Sequence, residues 1–173
     1  ALNSLVLESL KTIGGNVSSA IVKKDFAGGK QILEKECDSL IRDVESVVNK
    51  NNAAAYISTI NSTRQVRMSA LINAHAEHCK QDFQRRKNTD RRQDVTACLS
   101  ELQNFIATWP EALDSGIGAE VKRASEFLSV IQGGVRGRLT VVEGDFTASD
   151  GLIFTPNIYV EVDVLDNGAR RLF

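Results

Sequence analysis

Hydrophobic residues recur every three or four positions along the first three quarters of the chain, which indicates amphipathic helices. The first stripe runs from Leu2 to Val22. Gly14-Gly15 weakens it, because a glycine inside a helix costs about 1 kcal/mol relative to alanine. Phe26-Ala27-Gly28-Gly29 predicts a stop after this helix. A narrower, coiled-coil-like seam then predicts a second helix over about residues 31–48, with Leu33, Cys37, Leu40, Val44 and Val47 on its apolar face.

Three further helices are predicted, each bounded by polar, glycine or proline residues. They cover about residues 53–85, 95–109 and 121–131. The third follows the polar break Asn49-Lys50-Asn51-Asn52, the fourth ends before Pro110, and the fifth ends at Gly133-Gly134.

After Gly137 the hydrophobic period changes from about 3.6 to 2, the period of a strand. Residues 158–164 alternate apolar and polar side chains, residues 138–143 are the predicted pairing partner, and residues 152–155 form a short predicted strand between them. Two or three antiparallel strands are marginally stable alone in water. We therefore expect this element to pack on the helices or to pair with the sheet edge of another chain.

These patterns predict a mainly α fold, an antiparallel bundle of four to five helices with a small C-terminal antiparallel β element. The predicted helical bundle covers residues 1–134. Residues 135–173 are predicted to form a β hairpin or three-strand element, packed on the bundle or on a partner chain. A chain of 173 residues is long enough to bury a conventional core without metals or many disulfides.

Composition excludes several classes of protein. With 42% hydrophobic and 25% charged residues, the chain is typical of globular domains rather than of disordered ones. Its 21 basic and 22 acidic residues give a net charge of −1, so we expect no dedicated nucleic-acid binding. No apolar run approaches the roughly 18 residues of a membrane span, so we expect no transmembrane segment. The start of the chain lacks a basic and then apolar leader, so we expect no uncut signal peptide.

Cys79 and Cys98 lie at nearly equal distances from Asn88-Thr89-Asp90, the predicted turn between the third and fourth helices. Such positions face each other in an antiparallel hairpin, so a disulfide is predicted, with two buried reduced thiols as the alternative. Cys37 occupies a core position on the second helix and is predicted to be a buried free thiol. No cysteine pair has the spacing of a structural zinc site.

Asn61-Ser62-Thr63 and Asn16-Val17-Ser18 match the acceptor motif for N-glycosylation. Asn61 is the preferred candidate because its surroundings are polar, and Asn16 is the second. The cellular compartment stays open at this stage, with an extracellular, processed secreted chain favoured over an intracellular one.

His75 and His78 lie three residues apart, on about the same face of the third helix. They are the best metal-ligand candidates in the chain, although the motif matches no established metal-binding spacing. We favour ordinary helix histidines, and we predict no metal and no cofactor.

A basic cluster surrounds the predicted turn between the third and fourth helices. Residues 64–110 contain eight basic and five acidic side chains, whereas residues 111–173 contain six and ten. The cluster is a candidate docking patch for an anion, an acidic lipid or a partner subunit, and the alternative is a solvated hairpin tip with local ion pairs. Its members are Arg85, Arg86, Lys87, Arg91 and Arg92.

No catalytic motif is present in the sequence, so the favoured function is a non-enzymatic binding or structural assembly protein. It would contact a protein partner, or form a homo-oligomer, through its helical hairpins and its C-terminal β element. The second hypothesis is a carrier of an apolar small molecule, a lipid or pigment, in the helical bundle. The third is a metal-dependent enzyme using His75 and His78.

Overall fold

The computed structural model describes residues 1–86, 92–132, 136–148, 152–164 and 169–172, with side chains at residues 1–86, 93–126 and 128–129. The part with described side chains is mainly helical, as predicted. It has five α-helices, with a 3-10 turn at Pro110–Ala112 between the last two. The helices are α1 Leu2–Val22, α2 Phe26–Val47, α3 Lys50–Arg86, α4 Arg92–Thr108 and α5 Gly116–Gln132.

Beyond α5 the backbone has strand geometry over β1 Arg136–Ala148, β2 Leu152–Val164 and β3 Ala169–Leu172. The strand order is β1-β2-β3, with antiparallel neighbours. The side chains of these strands lie outside the described part of the chain. The packing of the β element on the helices or on a partner therefore stays a prediction.

Contacts between residues divide the chain into two compact units, Ala1–His75 and Ala76–Phe173. The first unit contains α1, α2 and α3 up to His75, and the second begins within the same helix α3. The division predicted between residues 134 and 135 falls on residues 133–135, which lie outside the described residues, and it stays a prediction.

The first unit begins with a helical hairpin whose turn covers only Lys23, Lys24 and Asp25. Lys24 has a φ of 59°, the left-handed conformation that reverses the chain between two helices. Asp25 is the N-cap of α2, since its Oδ1 accepts a hydrogen bond from the Gly28 N–H at 3.0 Å. The expectation of a stop at Phe26–Gly29 is wrong, because this cap starts α2 at Phe26.

Gly29 is the point of close approach between α2 and its neighbours in the first unit. A Cβ added there would lie 2.8 Å from Leu71 Cδ2 and 3.1 Å from the Ala20 Cβ. The missing side chain lets the helices pack against each other around an apolar core. This core consists of Val6, Leu10, Ile13, Val17, Ala20, Phe26, Leu33, Cys37, Val44, Ala53, Ile60 and Leu71.

The second unit has its own core, built by the end of α3 together with α4 and α5. Trp109 is fully buried at the end of α4, and its backbone N–H donates to the Phe105 carbonyl oxygen at 2.9 Å. Pro110 follows and has no N–H to continue the helix. The other buried apolar residues of this unit are Ala76, Cys79, Phe83, Val95, Cys98, Leu99, Leu102, Phe105, Ile117, Val121, Ala124 and Leu128.

Candidate functional site

A surface groove lies between α1 and α2 in the first unit. It has a volume of about 430 Å³ and combines apolar, hydroxyl and carboxylate side chains. Leu5 on its α1 wall is 60% exposed, a large fraction for a leucine in a groove. The lining residues are Leu5, Glu8, Ser9, Thr12 and Ile13 from α1, and Glu36, Ser39, Leu40 and Asp43 from α2.

The walls of this groove follow from helical periodicity. The α1 residues lie at spacings of three and four from Leu5 to Ile13, and the α2 residues do the same from Glu36 to Asp43. Each wall is therefore one strip of a helix, about 12 Å long. All three ionisable side chains in the lining are acidic, so the groove is apolar at its floor and negatively charged at its rim.

Sequence reasoning placed Leu5 on the apolar stripe of the first helix and missed the groove. The structure instead buries the neighbouring Val6 and Leu10, which lie nearer the middle of that stripe. The sequence did contain a signal of an exposed apolar side chain. Val6, Leu10, Ile13 and Val17 already form one apolar face at spacings of three and four, and Leu5 lies beside that face.

A second groove lies where α2 leads into α3, at the same end of the hairpin as the α1–α2 groove and away from the Lys23–Asp25 turn. Its volume is about 650 Å³, and its lining is more apolar than that of the α1–α2 groove. Asn61, the preferred glycosylation candidate, is exposed and belongs to this lining. The lining consists of Glu45, Val48, Lys50, Ala53, Ala54, Ile57, Ser58 and Asn61.

Asn16, the second glycosylation candidate, is exposed on α1. Its amide nitrogen lies 3.5 Å from the Glu36 carboxylate oxygen on α2, so the side chain is partly engaged across the hairpin. Glycosylation of Asn16 and of Asn61 stays a prediction.

Cys37 is fully buried in the first unit and is a free thiol. Burial raises its pKa, and the hydrogen bond with the Arg64 guanidinium opposes this only in part. Burial also lowers the pKa of Arg64, but the hydrogen bond with Asp38 at 2.7 Å holds it above its ordinary value. A buried thiol with a raised pKa is protonated at neutral pH, so Cys37 is poorly suited to nucleophilic chemistry.

In the second unit, Cys79 and Cys98 are both 1% exposed and are free thiols. The Cys79 thiol donates a weak hydrogen bond to the Glu101 carbonyl oxygen at 3.6 Å. Burial raises the pKa of Cys79 strongly and that of Cys98 to about 12. The negative charges of Glu101, Cys98 and Asp82 raise the pKa of Cys79 further, and the negative charge of Asp82 does the same for Cys98. The disulfide between them stays a prediction.

The basic cluster is partly neutralised by the buried carboxylate of Asp82. Asp82 is 3% exposed and accepts hydrogen bonds from Arg85 and Arg86. Arg86 also donates to Asp94 Oδ1 at 3.1 Å, which links the end of α3 to the first turn of α4. The hydrogen bond with Asp82 raises the pKa of Arg86 above its ordinary value.

The docking patch is therefore described only in part. Arg85 has a side chain that is 70% exposed, whereas Arg86 is 26% exposed and spans two carboxylates. Lys87 and Arg91, and the side chain of Arg92, lie outside the described residues. For Arg85 and Arg86 the structure shows the local ion pairs that were the alternative to docking.

The two histidines have different environments. His75 is 4% exposed, and its ring stacks on Phe26 with centroids 4.3 Å apart and planes within 9°. His78 in the second unit places its Nε2 3.2 Å from a Glu101 carboxylate oxygen. Within the part of the chain that the structure describes, no group of three or more His, Cys, Asp or Glu side chains is arranged to hold a metal ion.

None of the described helices combines the length and the apolar character that crossing a membrane requires. Comparison with protein-family models, with curated proteins and with solved structures finds no significant match to this chain.

Proposed function

We propose that this chain is a non-enzymatic binding or assembly protein and that it contacts its protein partner through the groove between α1 and α2. The observation that carries the proposal is the 60% exposure of Leu5 within a groove that also contains Leu40 and Ile13. Covering apolar surface contributes roughly 25 cal/mol per Å². A partner that covers these side chains therefore gains binding free energy, because apolar surface that is exposed in the isolated chain is removed from water.

The thiol chemistry supports a non-enzymatic role. Nucleophilic catalysis by cysteine needs a thiolate, which is formed where the pKa is lowered and the sulfur is accessible. Cys37, Cys79 and Cys98 are all buried, and the pKa of each is raised. The hypothesis of a metal-dependent enzyme has no comparable support: His75 stacks on the Phe26 ring, and His78 faces a Glu101 carboxylate oxygen.

The C-terminal β element is part of this proposal as a second contact surface. Among the described strands, β1 and β3 lie at the edges of the sheet, where backbone groups can pair with a strand of another chain. We propose a mainly α fold in which the helical bundle carries this sheet as a C-terminal β element. We also propose that a sheet edge of another chain pairs with β1 or β3.

Native mass spectrometry of the protein purified from its source tests the proposed function. We expect a complex with a second polypeptide that dissociates when Leu5→Asp is introduced, or further copies of the chain joined through the β element, which that substitution should leave intact. A strictly monomeric protein with no partner and no bound mass would overturn the proposal. Sedimentation velocity over a range of concentrations separates self-association from binding of a different protein.

The carrier hypothesis has one observation in its favour, the more apolar groove where α2 leads into α3. Val48, Ala54 and Ile57 supply its apolar surface, and Lys50 and Glu45 add one charge of each sign. These residues suit an apolar molecule. A lipid mass in the native spectrum that is lost in Ile57→Asp would favour this function, and a glycan on Asn61 would compete with it for the same groove.

A further inference from the structure

We propose that the occupant of the α1–α2 groove is a cationic amphipathic helix from another protein, an inference that rests on the proposed binding function. The shape, charge and position of the groove each restrict the occupant.

The shape of the groove suits a helix. Two packed antiparallel helices present a furrow along each side of the hairpin, and a third helix lying in such a furrow is the basic arrangement of a helical bundle. Residues Leu5 to Ile13 and Glu36 to Asp43 form walls of about two turns each. A partner helix of three to four turns would lay its apolar side chains, spaced three and four apart, along Leu5 and Leu40.

The furrow on the other side of the hairpin is already occupied by α3. The Arg67 guanidinium reaches Gly14 on α1, and Arg64 forms its ion pair with Asp38 on α2 at 2.7 Å. At 100° per residue, Gly14 and Asp38 lie roughly opposite the groove residues of their helices. The α1–α2 groove is thus the side of the hairpin that lacks a helix within the first unit.

The negative charge at the rim of the groove favours a positively charged partner. Glu8, Glu36 and Asp43 are its ionisable side chains, and all three are acidic. A helix with lysine or arginine flanking its apolar stripe places positive charge against them, which favours both encounter and orientation. An acidic helix of the same shape would meet like charges on both walls.

The same charges exclude a second copy as the occupant. In a two-fold symmetric pair each groove residue meets the same surface on the partner, so the acidic rims would face each other. The basic segment of a second copy matches in sign, but its residues 85–92, Arg-Arg-Lys-Asn-Thr-Asp-Arg-Arg, contain no apolar side chain to cover Leu5. The partner is therefore a different protein that supplies both charge and apolar contacts.

A titration with designed peptides tests this inference. The probe is a helical peptide of about 16 residues with leucine at every third and fourth position and lysine on both flanks, and its control carries glutamate in place of each lysine. Calorimetry with the full chain is expected to show binding of the lysine peptide that weakens as salt screens the charges. Equal binding of the glutamate peptide would overturn the inference.

Two pairs of matched variants locate the binding surface. Leu5→Asp is expected to weaken binding of the lysine peptide by about tenfold, the effect of losing one buried leucine contact of 1–2 kcal/mol, whereas Leu7→Asp should leave it unchanged. Leu7 is the control because it is 53% exposed on the same helix and lies outside the groove lining. On α2, Glu36→Lys is expected to weaken binding, and the exposed Glu34→Lys is its control outside the lining.

Circular dichroism and thermal unfolding show whether each variant remains folded. If Leu5→Asp does not fold, Ser39→Trp, which fills the groove from its exposed α2 wall, replaces it as the blocking variant. Equal weakening by Leu5→Asp and Leu7→Asp would overturn the inference. A native complex from source that forms while both peptides fail to bind would refute the cationic helix alone, whereas absence of any complex refutes the proposed function itself.

Discussion

The guanidinium Nε of Arg86 lies 2.9 Å and 3.1 Å from the two carboxylate oxygens of Asp82, one turn earlier on α3. Arg86 continues to Asp94 on α4, so a single side chain joins both helices of the hairpin. The buried Asp82 depends on this arrangement, because an ionised carboxylate taken out of water requires nearby positive charge and hydrogen-bond donors.

We expect Asp82→Ala to lower the free energy of unfolding by about 2 kcal/mol, since charged hydrogen bonds to a buried acceptor are lost. Urea denaturation of the full chain measures the change. Asp114→Ala, at an exposed position, is the matched control and should change stability by no more than about 0.5 kcal/mol. Equal effects of the two substitutions would show that the Asp82 ion pairs contribute nothing specific.

Stability is expected to fall at alkaline pH through the buried thiols. Burial raises the pKa of Cys98 from 9.0 to about 12, so between these values the folded chain holds a proton that the unfolded chain releases. Stability from this residue is therefore complete below pH 9 and is lost as the pH rises toward 12, with a limiting slope of about 1.4 kcal/mol per pH unit.

Urea midpoints measured from pH 7 to pH 10.5 test this slope in the reduced protein. Cys98→Ala is expected to be less stable at pH 7 but to lose stability less steeply above pH 9, because it has no thiol to ionise. Parallel curves for the two proteins would contradict a raised pKa at Cys98.

The predicted disulfide between Cys79 and Cys98 is tested by refolding in oxidised glutathione. Both thiols are buried and protonated, so the folded chain should react slowly and the refolding chain quickly. We expect the intact mass to fall by two hydrogen atoms and the chain to gain roughly 3 kcal/mol of stability, the entropic effect of closing a loop of about 20 residues. Cys37 should remain the thiol that alkylates after unfolding, and its appearance in a disulfide would contradict the pairing.

Two glycines of the first unit should respond to alanine in opposite directions. Gly29→Ala is expected to destabilise by about 1–3 kcal/mol, because its Cβ would come 2.8 Å from Leu71 Cδ2. Gly15→Ala has nothing within 4 Å and should stabilise α1 by up to about 1 kcal/mol. Thermal unfolding of the two variants beside the parent chain measures both effects, and a stabilised Gly29→Ala would refute the close packing of α2.

Helical periodicity predicted most of the helical content, because an apolar stripe at spacings of three and four leaves few alternatives. The extent of α1, from Leu2 to Val22, follows from its stripe alone. The start of α2 did not, since Gly28-Gly29 resembles a stop in sequence, whereas the Asp25 side chain caps a new helix there. The close approach of Gly29 to Leu71 is a tertiary contact that no local pattern reveals, whereas the Asp25 cap is a local start signal that the two glycines masked.

The candidate groove could not be predicted from the sequence, because it depends on how the helices are placed beside each other. Leu5 and Leu10 have the same chemistry, and the positions of the neighbouring helices make Leu10 6% exposed and Leu5 60% exposed. Glu8, Glu36 and Asp43 are ordinary surface acids until the hairpin turn brings α1 and α2 side by side. Asp82 is likewise an ordinary acid in sequence, because its neighbours are polar, and only the structure shows that its carboxylate is buried.

The three-residue turn at Lys23–Asp25 has a kinetic consequence for recognition. Because it ties α1 to α2 through a capped, left-handed reversal, both walls of the groove are fixed before any partner arrives. The backbone entropy lost on association then falls on the incoming helix, while the exposed groove side chains, such as Leu5, lose rotamer freedom. A partner segment that is already helical in isolation should consequently bind faster and more tightly than one of equal composition that must fold on contact.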